Sequence, residues 1–168
     1  MNSVPTDRPS QPNILFILSD DQGYFDVGYQ GSEILTPNID QLAKDGVKLE
    51  NYYVTQGQSY YILFGLTFLF QTKCILITVR RQNGVAIILY AHLTNYLGCT
   101  PTRAHLMTGR YTMRYGMQKG VILPSQPRGV PLTEKLMPEA LKKCGYNTDI
   151  FGKWHLGMFD KRYHPTQE

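Results

Sequence analysis

The chain has 168 residues, 42% of them hydrophobic, and 17 Lys and Arg against 13 Asp and Glu give it a net charge of +4. That apolar content suffices for one sizeable core, while the basic residues are scattered rather than gathered into a stripe, which argues against a nucleic-acid binder. Cys74, Cys99 and Cys144 form an odd set that makes no disulfide framework.

Residues 1–11 are a polar tail carrying Pro5 and Pro9, without the apolar stretch a secretory signal needs. Asn13 to Leu18 is a continuous apolar run, read as a buried parallel strand, and it ends in Ser19-Asp20-Asp21-Gln22-Gly23. Open α/β sheets place ligands beyond the carboxyl ends of their strands, and adjacent aspartates at a turn suit a hard cation with oxygen ligands. Taken alone, the same pair reads as a solvated Asp-Asp turn.

Next comes a short covering helix. Thr36 is its cap, Pro37 stands in its first turn, Ile39, Leu42 and Ala43 share one face, and Gly46 stops it. Val47 to Val54 alternates as a strand returning to the sheet, and strand, helix, strand, helix in order predicts an α/β fold.

From about residue 57 to 98 the composition changes. Tyr60 to Phe70 is almost wholly apolar, Lys73, Arg80 and Arg81 interrupt, and Val85 to Tyr90 is apolar again. Tyr60 to Val79 has the length of a membrane span, but a lysine near its middle is costly there, so a membrane segment is not the reading. Ile75–Val79 and Val85–Tyr90 are uncharged and rich in β-formers, which predicts a strand pair, either a buried hairpin or an exposed, aggregation-prone one.

The run Cys99-Thr100-Pro101-Thr102-Arg103 reads as a nucleophile at the start of a helix that binds an oxyanion. Pro101 fits a first turn, Leu106 and Met107 follow at a spacing that can face a core, and Cys99 sits at the positive end of the helix dipole. Free N–H groups there, with Arg103 one turn along as a forked cation, suit sulfate or phosphate. Pro138 to Cys144 is a second short helix that Gly145 caps, and Gly152-Lys153-Trp154-His155 follows. Cys144 is expected to be a small buried apolar residue, His105 a packed or solvated one, and Lys161 and His164 part of a solvated tail. Arg110, Arg114 and Tyr115 are candidates for the edge of a substrate groove. Alone, Lys-Trp-His would be a surface turn with a half-buried Trp.

Together these segments resemble the sulfatases, through the Cys-x-Pro-Ser/Thr-Arg run followed by Thr108-Gly109-Arg110 and through the Gly-Lys-Trp-His signature. Asn51-Tyr52-Tyr53-Val54 and Gly152 to Gly157 are most similar to the arylsulfatase B-like branch. The resemblance implies an alkaline-phosphatase-like sheet with helices on both faces, of which residues 12–168 are part of the N-terminal catalytic domain only. It implies that Cys99 is converted to formylglycine by a formylglycine-generating enzyme. The hydrated aldehyde then attacks sulfur with one hydroxyl and releases sulfate with the other. It further implies one Ca2+ ion held by Asp20, Asp21 and Cys99, with Arg103 and Lys153 binding sulfate oxygens and His155 orienting or protonating the nucleophile or leaving oxygen. The substrate would be a sulfate ester of a glycosaminoglycan sugar or an aryl alcohol, and the location lysosomal or secreted. In family members a strand like Asn51–Val54 runs within a few residues into the cysteine motif. Residues 57–98 are therefore read as an atypical insert, translated non-coding sequence or a mispredicted exon, with a genuine family-specific insertion as the second reading, and Phe151 departs from the small or β-branched residue usual at its place.

Two functions follow from different classes: a calcium-dependent sulfuric ester hydrolase, or an inactive truncated fragment or mispredicted product that binds metal or anion weakly. A phosphoryl-transfer relative is the weaker third, because such proteins usually offer Ser or Thr as the nucleophile.

Overall fold

A computed structural model describes residues 13–20, 22–53, 73–81, 84–90 and 98–165. The polar tail, Asp21, His92 and most of residues 57–98 lie outside the described residues. The chain forms two compact units, residues 1–52 with 73–92, and residues 53–72 with 93–168.

In the first unit four strands make one sheet in the order β1-β4-β3-β2: β1 Ile14–Leu18, β2 Val47–Tyr53, β3 Lys73–Arg81 and β4 Gly84–Tyr90. β1 runs parallel to β4, with Ile14 opposite Val85 and Leu18 opposite Leu89. β4 pairs antiparallel with β3, Ile75 lying opposite Tyr90, so the strand pair expected from the two β-rich windows forms. β1 is parallel as expected but is not buried: Ile14, Leu15 and Ile17 are 40%, 58% and 42% exposed. Among the described residues β1 stands at the end of the sheet. An edge strand has a neighbour on one side only, whereas a continuous apolar run reads as though both sides and both faces were covered.

Helix α1, Pro37–Asp45, follows the expected punctuation, with Thr36 before it and Gly46 after it. Ala43 is buried under Tyr24, Tyr29, Ile39 and Leu42. The Thr36 hydroxyl does not cap its own helix. It accepts from the Gly28 N–H at 2.8 Å and donates to Asp40 at 2.9 Å, while Asp40 also accepts from the Tyr29 N–H at 2.9 Å. The start of α1 is thus tied to a 3-10 turn at Gly28–Gln30.

Among its described residues the second unit has little regular structure. Its elements are α2 Cys99–Thr108, α3 Met137–Lys143, and 3-10 turns at Thr112–Arg114 and Lys161–Tyr163. Gly109 ends α2 in the left-handed region at φ 65°, its N–H donating to the His105 carbonyl, and Gly145 at φ 87° closes α3 as expected. The core is Ala104, Met117, Ile122, Val130 and Leu156, with Met107, Tyr115, Leu136 and Trp154 packed around it.

Met107 packs against this core as its spacing allows, Leu106 is half-buried, and the buried part of α2 is Thr100 to Ala104, to which residues 122, 153 and 155 bond. Two expectations do not hold. Cys144 is exposed, since it stands at the C-cap of a helix with no buried residue. Lys161 is exposed as expected, but His164 is half-buried, its Nε2 bonding to the Met158 carbonyl at 3.2 Å, and beside it the Tyr163 carbonyl accepts from the Trp154 indole N–H at 2.8 Å while the Tyr163 ring lies against Gly129. A Cβ at Gly129 would stand 2.9 Å from the Leu156 carbonyl, and one at Gly157 would stand 2.9 Å from the Gly129 Cα. Phe151 is 95% exposed, so its bulk is spent on solvent rather than on packing.

Candidate active site

The site is built on the first turn of α2. Gly98 precedes the helix and is buried where a Cβ would meet the Pro101 ring at 2.6 Å, so the turn into Cys99 requires glycine by close approach. Cys99 is the first helical residue and is partly exposed. In a first turn the N–H groups lack a carbonyl one turn back, and the dipole places partial positive charge there. Thiol and helix end therefore offer a polar mouth suited to an anion.

Lys153 reaches the same point from the later segment, its Nζ donating to Cys99 Sγ at 3.3 Å across 54 positions of sequence. Arg103 is 8% exposed, and its Nη1 donates to the Lys153 carbonyl at 2.5 Å. Thr100, fully buried, donates from its hydroxyl to the His155 carbonyl at 2.9 Å and accepts from the Ile122 N–H at 3.1 Å. The His155 ring in turn bonds through Nε2 to the Ile122 carbonyl at 2.9 Å. His155 holds a left-handed backbone at φ 60°, a conformation that costs a non-glycine residue about 1 kcal/mol and persists where its surroundings enforce it. Two side chains one helical turn apart, Thr100 and Arg103, thus grip two carbonyls of the 153–155 turn.

Of the four residues expected to carry catalysis, the structure joins the side chains of Cys99 and Lys153, ties Arg103 to the Lys153 carbonyl, and holds His155 on the same turn through its carbonyl. For Arg103 the arrangement shows a backbone grip that its residue type alone did not suggest. Thr100 and Ile122 were not singled out in the sequence; the only signal for Thr100 was its place inside the cysteine motif. Arg110 sends Nη1 to both Glu134 oxygens, at 2.7 and 2.6 Å, and lies 5.9 Å from the centre of the Tyr115 ring. Burial pushes the Tyr115 phenol up, an effect the Thr108 hydrogen bond partly offsets. His105 packs on Tyr111 and burial pulls its pKa down.

Asp20, in the first unit, is exposed just beyond the C-terminal end of β1. Its carboxylate oxygens are the right chemistry for a hard cation. Among the described residues no group of three or more His, Cys, Asp or Glu side chains could hold an ion.

The Sulfatase family model matches residues 12–71 and 81–167. The chain belongs to the sulfatase family. It is 39% identical over 158 residues to arylsulfatase J of Mus musculus, a match covering 94% of this chain and 20% of that protein. Steryl-sulfatase of Homo sapiens is 37% identical over 155 residues, covering 89% of this chain and 20% of that protein. Among solved structures, the crystal structure of Ps i-CgsB aligns with a TM-score of 0.64 and 33% identity over 92% of this chain and 26% of that one. The chain therefore spans about a fifth of the length of the curated relatives it matches. Its α/β architecture is the N-terminal part of the alkaline-phosphatase-like fold. Among its described residues no helix is long and apolar enough to cross a membrane.

Proposed function

We propose that this sulfatase chain carries the nucleophile-bearing part of a sulfuric ester hydrolase, with Cys99 as the residue converted to formylglycine. The observation that carries the reading is the Lys153 ammonium donating to Cys99 Sγ at 3.3 Å at the start of α2. A group formed at Cys99 meets positive charge from the helix end and from Lys153, and negative charge developing on sulfate oxygens in a transition state is stabilised by such fixed donors. Formylglycine, when present, supplies a hydroxyl nucleophile on a carbon that can later expel sulfate. Arg103 and Lys153 act as the cations for the sulfate, and His155 orients or transfers a proton.

The carboxylates of Asp20 and Asp21 are proposed as oxygen ligands for one divalent ion, calcium by resemblance. The proposed substrate class is a sulfate ester of an aryl alcohol or a glycosaminoglycan sugar, and the arylsulfatase B-like branch is kept as the finer assignment. The formylglycine-generating enzyme is the proposed modifying partner, which implies a secretory or lysosomal route. Within residues 57–98, β3 is proposed as an addition to the family plan, since the family match breaks at residues 72–80, nearly all of that strand. A transcript reading continuously through Val54, β3 and Cys99 would identify that addition as a genuine part of the gene product rather than a mispredicted exon.

The test is mass spectrometry of the Cys99 peptide from protein passed through a secretory host, paired with hydrolysis of an aryl sulfate. Conversion lowers the peptide mass by about 18 Da, and Lys153→Met then lowers kcat by about 100-fold or more with melting temperature retained. An unmodified thiol with no hydrolysis assigns the chain to the non-catalytic class instead.

A further inference from the structure

We propose that Thr100, between Cys99 and Pro101, is a positioning residue for His155, its buried hydroxyl fixing both the turn that carries the imidazole and the tautomer of the ring. A hydroxyl has one proton to give and lone pairs to receive, and Thr100 uses both, giving to the His155 carbonyl at 2.9 Å and receiving from the Ile122 N–H at 3.1 Å. The third side of the ring is the 2.9 Å contact between His155 Nε2 and the Ile122 carbonyl. A carbonyl only accepts, so Nε2 carries the proton, and in the neutral imidazole the lone pair sits on Nδ1. Nδ1 is buried and has no hydrogen-bond partner among the described residues. The basic nitrogen is therefore chosen by a closed circuit of Thr100, Ile122 and His155, not by the histidine itself.

The backbone makes the circuit necessary. His155 sits at φ 60°, where a residue with a Cβ stays only if its surroundings hold it. The hold is the carbonyl bond from Thr100, whose side chain is wholly buried. Valine has the shape of threonine and cannot make either bond, so Thr100→Val frees the His155 carbonyl and leaves the Ile122 N–H unmet. Serine keeps both bonds. For its catalytic meaning this inference rests on the sulfatase reading above; the tautomer does not depend on it.

The experiment is long-range 1H–15N correlation of the His155 ring in the labelled chain at about pH 8, above the ordinary histidine titration range. The wild-type chain and Thr100→Ser should show Nε2 protonated and Nδ1 bare, and Thr100→Val should show both nitrogens moved to averaged positions. Unchanged ring shifts in Thr100→Val, or a proton on Nδ1 in the wild type, overturn the proposal. Should the valine variant not fold, exchange of the Ile122 amide in the wild type decides. A rate slowed about 100-fold or more upholds the bond to Thr100, and an unprotected rate overturns it. On an aryl sulfate, Thr100→Val should lower kcat by about tenfold to hundredfold with KM within about twofold, and Thr100→Ser should restore it. An unchanged kcat in the valine variant overturns the positioning role. The expected ring shifts in a chain that hydrolyses nothing overturn the proposed catalytic function, and the catalytic role of Thr100 with it, and leave the tautomer assignment standing.

Discussion

The two compact units are held by different means. In the first, β1 to β4 are joined by backbone ladders, and β1 keeps its register with β4 although its apolar side chains are largely exposed. In the second, between residues 98 and 165, regular structure is sparse, and the decisive bonds run from buried side chains to carbonyls 50 and 55 positions away. A ladder tolerates exchange of side chains because its donors and acceptors are backbone. A side-chain clamp does not, since removing one partner leaves a buried polar group unmet. The difference teaches where this chain is sensitive: sequence identity matters most where secondary structure is least.

The sharpest way to break this distinction is at Leu156, 1% exposed in the cluster with Ala104 and Val130. Leu156→Ala should cost about 2–5 kcal/mol by urea unfolding, with amide exchange rising across residues 98–165 more than in β1 and β4. An equal rise in both units would dissolve the contrast. Arg103→Met removes the grip on the Lys153 carbonyl and should cost about 1.5–3 kcal/mol in thermal or chemical unfolding. Arg103→Lys should recover little of it, because a single ammonium does not reproduce a planar fork. In the first unit, Thr36→Val loses bonds to Gly28 and Asp40 and should cost only about 1 kcal/mol, since that turn is half-buried and water can replace the hydroxyl. A loss as large as that of Arg103→Met would mean that the sheet unit also depends on side-chain clamps.

The smallest effect is one of pH. Burial lowers the His105 pKa, so the folded chain takes up this proton less readily than the unfolded chain. The contribution to stability is complete above the ordinary histidine value of about 6.5 and is lost as pH falls below it toward the depressed folded value. Melting temperatures at about pH 7.5 and about pH 5.5 should differ slightly more for the wild type than for His105→Gln. No difference would place the site of acid sensitivity elsewhere.

Much of the fold was legible because it is punctuated. Thr36, Pro37 and Gly46 bracket α1, Gly145 closes α3, and two β-rich windows became β3 and β4. The burial of β1 was not legible, because an apolar run states what a strand could bury but not how many neighbours it has. Cys99, Arg103, Lys153 and His155 could be named as candidates through resemblance, which fixes identity at known spacing, and the Cys99–Lys153 contact joins two of them. Thr100 was not legible, because what it does depends on Ile122 and His155 arriving at its hydroxyl, and that is a property of three-dimensional closure rather than of any window of sequence. Cys144 failed for a simpler reason: residue type gave a typical burial, and a helix cap overrode it.

Gly129 and Gly157 leave no room for a side chain. A Cβ at either would strike backbone as well as the Tyr163 ring, 2.9 Å from the Leu156 carbonyl in one case and from the Gly129 Cα in the other. Trimming Tyr163 would relieve the ring and not the backbone. A selection for revertants of Gly129→Ala or Gly157→Ala should therefore return the original glycine codon and no second-site suppressor at Tyr163.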